Sequence, residues 1–407
     1  MTVRGVLLGA FIAGLGVSIT LAETALALLT LHLLWRLRDP AARAAARWPL
    51  WPPVLAFSAV TILSALLSGH PAASLESAKG LLLIAALYVT ADAVRDPGTA
   101  GRFLFGLTLA ATVAAAVGLL QVGLCPGVDG PAAGPRWLYH RCDRAHGFFS
   151  IYMTLAGVLS LVLLATLPRL LPGSGELRRF GAPWLVMLGG LVATYTRGAW
   201  IGFAAGVLTV AATVRRGRWL LLAGLVLLVA GALLAPRELR HRFLSMADPE
   251  EAGVRERVYM WRSGLAMWRE RPVLGIGPGG VKREYPPYAL PEAIKKRTGH
   301  VHSAPLQILV ERGLLGLAAW LAIWAAFFGR CVGLLRRLPR EATAERMLVV
   351  GSLAAIASFL VAGLSEYNFG DTEVVMVAWA LMALPWAVDP STPRTARSRT
   401  APSRSTP

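Results

Sequence analysis

The chain has 407 residues, of which 55% are hydrophobic and 16% charged, and it carries a net charge of +18. A soluble protein of this length has about a quarter of its residues charged, so the composition excludes an ordinary soluble domain. No stretch resembles a nucleic-acid module, and the positive charge lies in short blocks between apolar runs, so a nucleic-acid partner is excluded too.

The apolar runs are long enough to cross a hydrocarbon core of roughly 30 Å. Spans are expected at 5–19, 20–35, 50–68, 80–94, 103–124, 147–168, 183–196, 198–214, 219–235, 305–329, 347–365 and 373–388. The fold class is therefore all-α: a polytopic integral membrane protein with about 12 transmembrane helices and one long periplasmic loop. The first two spans are short, and the run broken by Glu23 is open to a second description as one tilted helix. No pattern of a cleavable signal is visible, and the segment after Met1 is expected to begin the membrane domain.

Lys and Arg placement gives the orientation. Arginines collect at Arg36, Arg38, Arg43 and Arg47, at Arg169, Arg178 and Arg179, at Arg215, Arg216 and Arg218, and from Arg330 to Arg346. Counting spans from any of these loops puts the others on the same side, which is then the cytoplasm. The opposite face receives loops near 69–79, 125–146 and 366–372 and the long loop 236–304. A loop of that length crosses regardless of charge, so its thirteen Lys and Arg residues do not oppose this topology. Four units follow: N-terminal transmembrane helices over 1–235, the long periplasmic loop 236–304 with an amphipathic helix, C-terminal transmembrane helices over 305–388, and a cytoplasmic tail 389–407. The tail, "PSTPRTARSRTAPSRSTP", cannot build a core and is expected to be disordered. Cys125 and Cys142 flank the middle loop on the oxidising side, where a disulfide and two free thiols are both open; Cys331 sits at the cytoplasmic edge.

Four segments carry the chemistry. In "TYTRGAWIG" (194–202) Arg197 interrupts an apolar stretch at the outer face, where its planar fork suits a phosphate. In "RERVYMWRSGLAMWRER" (255–271) Val258, Trp261, Leu265 and Trp268 recur at helical spacing, as in an amphipathic helix lying at a membrane surface. The glycine-rich "LGIGPGG" (274–280) could bring backbone N–H groups to a phosphate, although most such turns are only turns. In "GHVHSAPLQILVERGLLG" (299–316) His302 precedes Pro305 at the mouth of a span, with Gln307 and Glu311 one turn apart below it. A lone loop histidine is usually structural. One beside a helix N-terminus, above a glutamate inside an apolar span, suits proton transfer from a sugar hydroxyl.

Taken in order, "TYTRGAW", "RVYMWRSGLAMWRERPVLGIGPG" and "HSAPLQILVERGLLG" resemble the O-antigen ligase and polymerase family, and the resemblance continues to "SEYNFGDTEV". It implies an enzyme of the bacterial inner membrane that moves a glycan from undecaprenyl diphosphate to an acceptor at the periplasmic face, without nucleotide sugar, metal or other cofactor. For the ligases the acceptor is lipid A–core. By position the resemblance makes His302 the base, Glu311 its support, and Arg197 and Arg257 the grip on the diphosphate. "RAHGFFSIYMTLAG" (144–157) resembles another motif of the group and adds Arg144 and His146 as secondary candidates beside Gln307. Many members have Asn after the histidine; here it is Ser303, and His300 could share the role. A polymerase and a protein O-oligosaccharyltransferase remain open as siblings. A lipid-linked sugar transporter would spread its charges through several spans, whereas these gather at one face.

Overall fold

A computed structural model describes residues 2–125, 143–214, 224 and 251–388. The expected span at 219–235 apart from residue 224, the arginines of 215–218, Cys142 and the tail 389–407 lie outside the described residues, as do most of the middle loop and the start of the long loop. Among the described residues every regular element is helical.

The chain begins with α1 (Val3–Val17) and α2 (Ile19–Arg36). Ser18 between them is extended (φ −158°) and its hydroxyl accepts the Leu21 N–H, which starts a new helix. The run across Glu23 is therefore two helices folded on each other, not one tilted span. They approach so closely that a Cβ on Gly14 would lie 2.4 Å from Ala22 N. A short α3 (Pro40–Ala44) leads to α4 (Trp51–Leu66). Then α5 (Pro71–Ser77), a 3₁₀ stretch and α6 (Ala85–Ala93) run on as one apolar rod, which begins earlier than the expected 80–94. α7 (Pro97–Gly123) is followed by α8 (Tyr152–Thr166), α9 (Leu177–Ala193) and α10 (Arg197–Thr213). The outer layer is α11 (Ala252–Glu270) and α12 (Gly280–Glu284), and the chain closes with α13 (Ala304–Arg337), α14 (Thr343–Ala362) and α15 (Thr372–Ala383).

The protein is a multi-pass helical membrane protein. Among the described residues six helices are long and apolar enough to cross a bilayer, and four more apolar helices are shorter. Sidedness is nonetheless consistent. Asp92 at the end of α6 bonds Arg4 of α1 and Arg36 of α2, so these ends share one face. Ser64 at the end of α4 bonds Leu274 O and Glu311 O on the other.

α8 and α15 are apolar on every side and almost wholly buried, and with α14 they form the axis of the bundle. α10 lies on α14 through Gly198, Gly202 and Gly206; a Cβ on Gly202 would meet Ser358 O at 2.6 Å and one on Gly206 the Leu164 side chain at 2.3 Å. This small-residue seam delivers Arg197, at the N-terminus of α10, to the loop after α14.

Two features near His302 go beyond the sequence pattern. Within the expected span at 305–329, Gly313 has φ +65° and ψ −168°, which splits α13. Only glycine adopts that conformation without strain. The freed groups are satisfied from outside: Leu314 N–H donates to Pro272 O, while Val310 O and Glu311 O accept from Ile276 and Gly277 N–H. α11 does have two faces, but its most buried side is Met260, Ser263, Gly264 and Met267, which packs on Val301, Leu306 and Val310. The tryptophan stripe is only partly buried and Leu265 is exposed, so this second side is the one left for a membrane surface.

Cys125 is disulfide-bonded. Cys331 is a free, buried thiol inside α13.

Candidate active site

The face that carries His302 gathers three chain segments. The corner between α9 and α10 turns through Tyr195 (φ +53°), and Thr194 braces it by donating to Leu191 O. Arg197 follows, and its two terminal nitrogens bond the two oxygens of Glu251, at 2.9 and 3.2 Å. This bidentate pair fixes the plane of the guanidinium. It ties the start of α10 to the start of α11, which carries Arg257 two turns on.

The second segment is the loop before α13. Ala304 N–H donates to Gly363 O at 2.7 Å, so the entry to α13 is stitched to the end of α14. The turn after α14 is shaped by Asn368, whose amide donates to Phe359 O. Together these contacts set Glu366 beside His302: His302 Nδ1 lies 3.2 Å from Glu366 Oε2. The other carboxylate oxygen accepts from Arg257. Both side chains of the His302–Glu366 pair are largely shielded, 16% and 13% exposed. A carboxylate is an acceptor only, so it selects the Nδ1–H tautomer of a neutral His302 and leaves Nε2 to accept a proton. The same constellation of histidine and orienting carboxylate serves general bases elsewhere.

His302 itself has φ +49°, a left-handed backbone that costs of order 1–3 kcal/mol for a residue with a side chain. The neighbours that enforce it are visible. His302 N–H reaches His300 Nδ1 at 3.4 Å, and the two imidazole rings stand 4.2 Å apart. His300 in turn faces the ring of Tyr367 at 5.7 Å. Burial, and then the neighbouring His302, push the His300 imidazole down to about 4. His300 is thus a neutral packing partner of His302 at ordinary pH.

The third segment lies beneath. Gln307 and Glu311 do share a face: Gln307 donates to Glu311 at 2.9 Å and accepts the Val301 N–H, one residue before His302, at 2.9 Å. Glu311 also pairs with Arg312 at 3.1 Å, and Arg312 bonds Thr61 of α4. All three polar side chains are buried. A buried charge without a partner is costly, so the pair and its hydrogen bonds make one satisfied unit at the helix break. Tyr367 closes this layer, its phenol pushed up to about 12 by burial and then by Glu311. Glu311 therefore sits under the His302 loop and is linked to it through Gln307.

The glycine-rich turn does not offer a phosphate cradle. Gly275, Ile276 and Gly277 N–H groups are already bonded to Arg271, Val310 and Glu311 carbonyls. Its glycines serve close approach instead, for a Cβ on Gly275 would fall 2.5 Å from Val310 O. Arg144 stacks over Tyr152 at 4.2 Å, and His146 meets the edge of that ring. Ala145 N–H donates to Ala193 O, so this motif borders the corner that carries Arg197.

Three residues of the cluster were not among the sequence candidates: Glu366, Glu251 and Arg312. Arg312 stood inside a motif already singled out, one position from Glu311, and a second charge in an apolar span is itself a signal. Glu366 was visible as an acid in a short loop between two apolar spans on the face of His302. Nothing in the sequence points to Glu251.

Residues 182–321 match the family model of O-antigen ligase. The matched stretch contains Arg197, Arg257, His300, His302, Gln307 and Glu311, and leaves out Arg144, His146 and Glu366. No curated protein sequence matches the chain. Residues 182–321, the segment that builds most of this site, are thus similar to the O-antigen ligase family.

Proposed function

We propose that the protein is a glycosyltransferase of the inner membrane that transfers a glycan from undecaprenyl diphosphate to lipid A–core, or a related acceptor, at the periplasmic face. The observation that carries this reading is the His302–Glu366–Arg257 constellation, a general base and a cation joined through one carboxylate. The match of residues 182–321 to the O-antigen ligase family model supports ligase- or polymerase-like chemistry. The geometry supports a division of labour.

The acceptor hydroxyl gives its proton to His302 Nε2 as its oxygen attacks the anomeric carbon. The bond from that carbon to the diphosphate oxygen breaks, and its electron pair leaves with the lipid diphosphate. Glu366 holds the imidazole in the right tautomer and stabilises the imidazolium that forms. Arg257 and Arg197, each oriented by a carboxylate, meet the charge that develops on the leaving group. Glu311, Gln307 and Arg312 keep the His302 loop in place, and no resident cofactor takes part. The exposed apolar faces of the spans would accommodate the polyprenyl chain and surrounding membrane lipids.

A polymerase needs the same atoms, with a lipid-linked repeat as the acceptor. Lipopolysaccharide profiling in a strain lacking the gene separates the two. Core without O-antigen, with long glycan retained on the carrier, is the result expected for a ligase. Core bearing a single repeat would instead mean a polymerase. An unchanged profile would overturn both.

A further inference from the structure

The face opposite the site holds a cluster that the transfer reaction does not use. Asp92, buried at the end of α6, accepts from Arg36 at 2.5 Å, from Arg95 at 2.5 Å and from Arg4 at 3.4 Å. Arg47 adjoins them, donating to Arg95 O and Trp386 O. Asp96, the next acid along the chain, has both its oxygens engaged by Thr99 at the start of α7. Three guanidinium groups therefore share one carboxylate, with a fourth, that of Arg47, beside them.

Ordinary topology arginines extend singly into water from loops. These converge, and burial followed by repulsion from Arg95 lowers the Arg47 pKa. A guanidinium has five N–H donors, and Arg36 uses one of them on Asp92. The side chains of Arg4, Arg36 and Arg95 remain 36, 28 and 30% exposed, so an anion can reach them. On the same two helices, within two turns, Val3, Val6, Leu31, Leu34 and Trp35 are exposed apolar side chains. Phosphate-seeking cations bordered by an apolar wall, with a tryptophan at the edge, match a lipid with an anionic head and acyl tails.

We propose that the Arg4–Arg36–Arg47–Arg95 cluster binds the phosphodiester headgroup of an anionic phospholipid in the leaflet opposite the active site. The bound lipid neutralises the surplus charge and clamps the ends of α1, α2 and α6. This does not depend on the glycan-transfer assignment.

The test uses the purified full-length chain, titrated with phosphatidylglycerol in a phosphatidylcholine background while the thermal unfolding midpoint is followed. Phosphatidylglycerol should raise the midpoint at low mole fraction. In the Arg4→Gln/Arg36→Gln variant, where Asp92 keeps Arg95, half-saturation should need about thirtyfold more phosphatidylglycerol. Arg4→Gln alone should need about fivefold more, which keeps the test open if the double variant does not fold. Arg336→Gln/Arg337→Gln, on the same face but outside the cluster, should titrate like wild type. Equal titration of the wild type and the Arg4 and Arg36 variants would overturn the site. A midpoint rise produced in full by inorganic phosphate would overturn the lipid as its occupant.

Discussion

On the face of His302 three arginines each stand against their own carboxylate: Arg197 with Glu251, Arg257 with Glu366 and Arg312 with Glu311. On the opposite face three arginines converge on Asp92. Arginine abundance alone does not distinguish the two faces; the partners do. One-to-one pairing fixes a guanidinium in a plane and in a place, which is what recognition of a developing charge at a defined position requires. A shared carboxylate leaves net positive charge, which orients the chain in the membrane and attracts diffuse negative charge. The backbone follows the same division. The described non-glycine residues with positive φ are Leu50, Tyr195 and His302, and two of these three lie at the site.

Substitutions on the two faces should therefore fail differently. The largest effect is expected from Glu366→Gln, which removes the acceptor shared by His302 and Arg257. Transfer by the purified protein should fall about 10²–10⁴-fold, whereas Asp92→Asn should leave the turnover of correctly inserted protein within about tenfold. Comparable losses of turnover in the two would erase the contrast. Arg257→Ala should cost about 10²-fold in transfer, and Arg257→Lys should recover only part of that, because an ammonium keeps the charge without the fork. Full recovery by lysine would mean that charge alone matters at this position.

Gly313→Ala tests the break in α13 that sets the depth of Glu311. Left-handed backbone at a residue with a side chain costs about 1–3 kcal/mol, and the new Cβ would also lie 2.1 Å from Val273 O. A lowered unfolding midpoint is expected, with transfer reduced as the His302 loop shifts. The smallest effect belongs to His300. Its folded pKa, about 4, lies below the ordinary 6.5, so the folded state holds fewer protons than the unfolded state between those values. Its contribution to stability is intact above pH 6.5 and is lost as pH falls toward 4. In His300→Gln the midpoint should decline less steeply over that window than in wild type, and identical slopes would remove the buried imidazole from the account.

The parts of this molecule legible in the sequence are those governed by local pattern. Apolar runs marked most spans, arginine blocks marked one face, and the four-residue spacing of Gln307 and Glu311 placed them on one side of a helix. Features made by distant partners were harder to see. Glu366 gains its meaning from the Ala304–Gly363 hydrogen bond, and no local periodicity encodes that contact. The glycines of 275–279 looked like a phosphate turn because close approach to a backbone and close approach to an anion ask for the same residue. The tryptophans of α11 drew attention to one stripe, while the more buried stripe is made of two methionines, a serine and a glycine. Burial there follows the shape of the loop around Val301, which residue hydrophobicity does not report.

The most direct measurement is transfer of a lipid-linked glycan by purified wild-type and His302→Ala protein, with carrier binding followed in the same samples. Loss of transfer by about 10²–10⁴-fold with carrier still bound is the predicted result, since the arginine pairs remain and only the base is gone. Transfer by His302→Ala at close to the wild-type rate would contradict the assignment of His302 as the base.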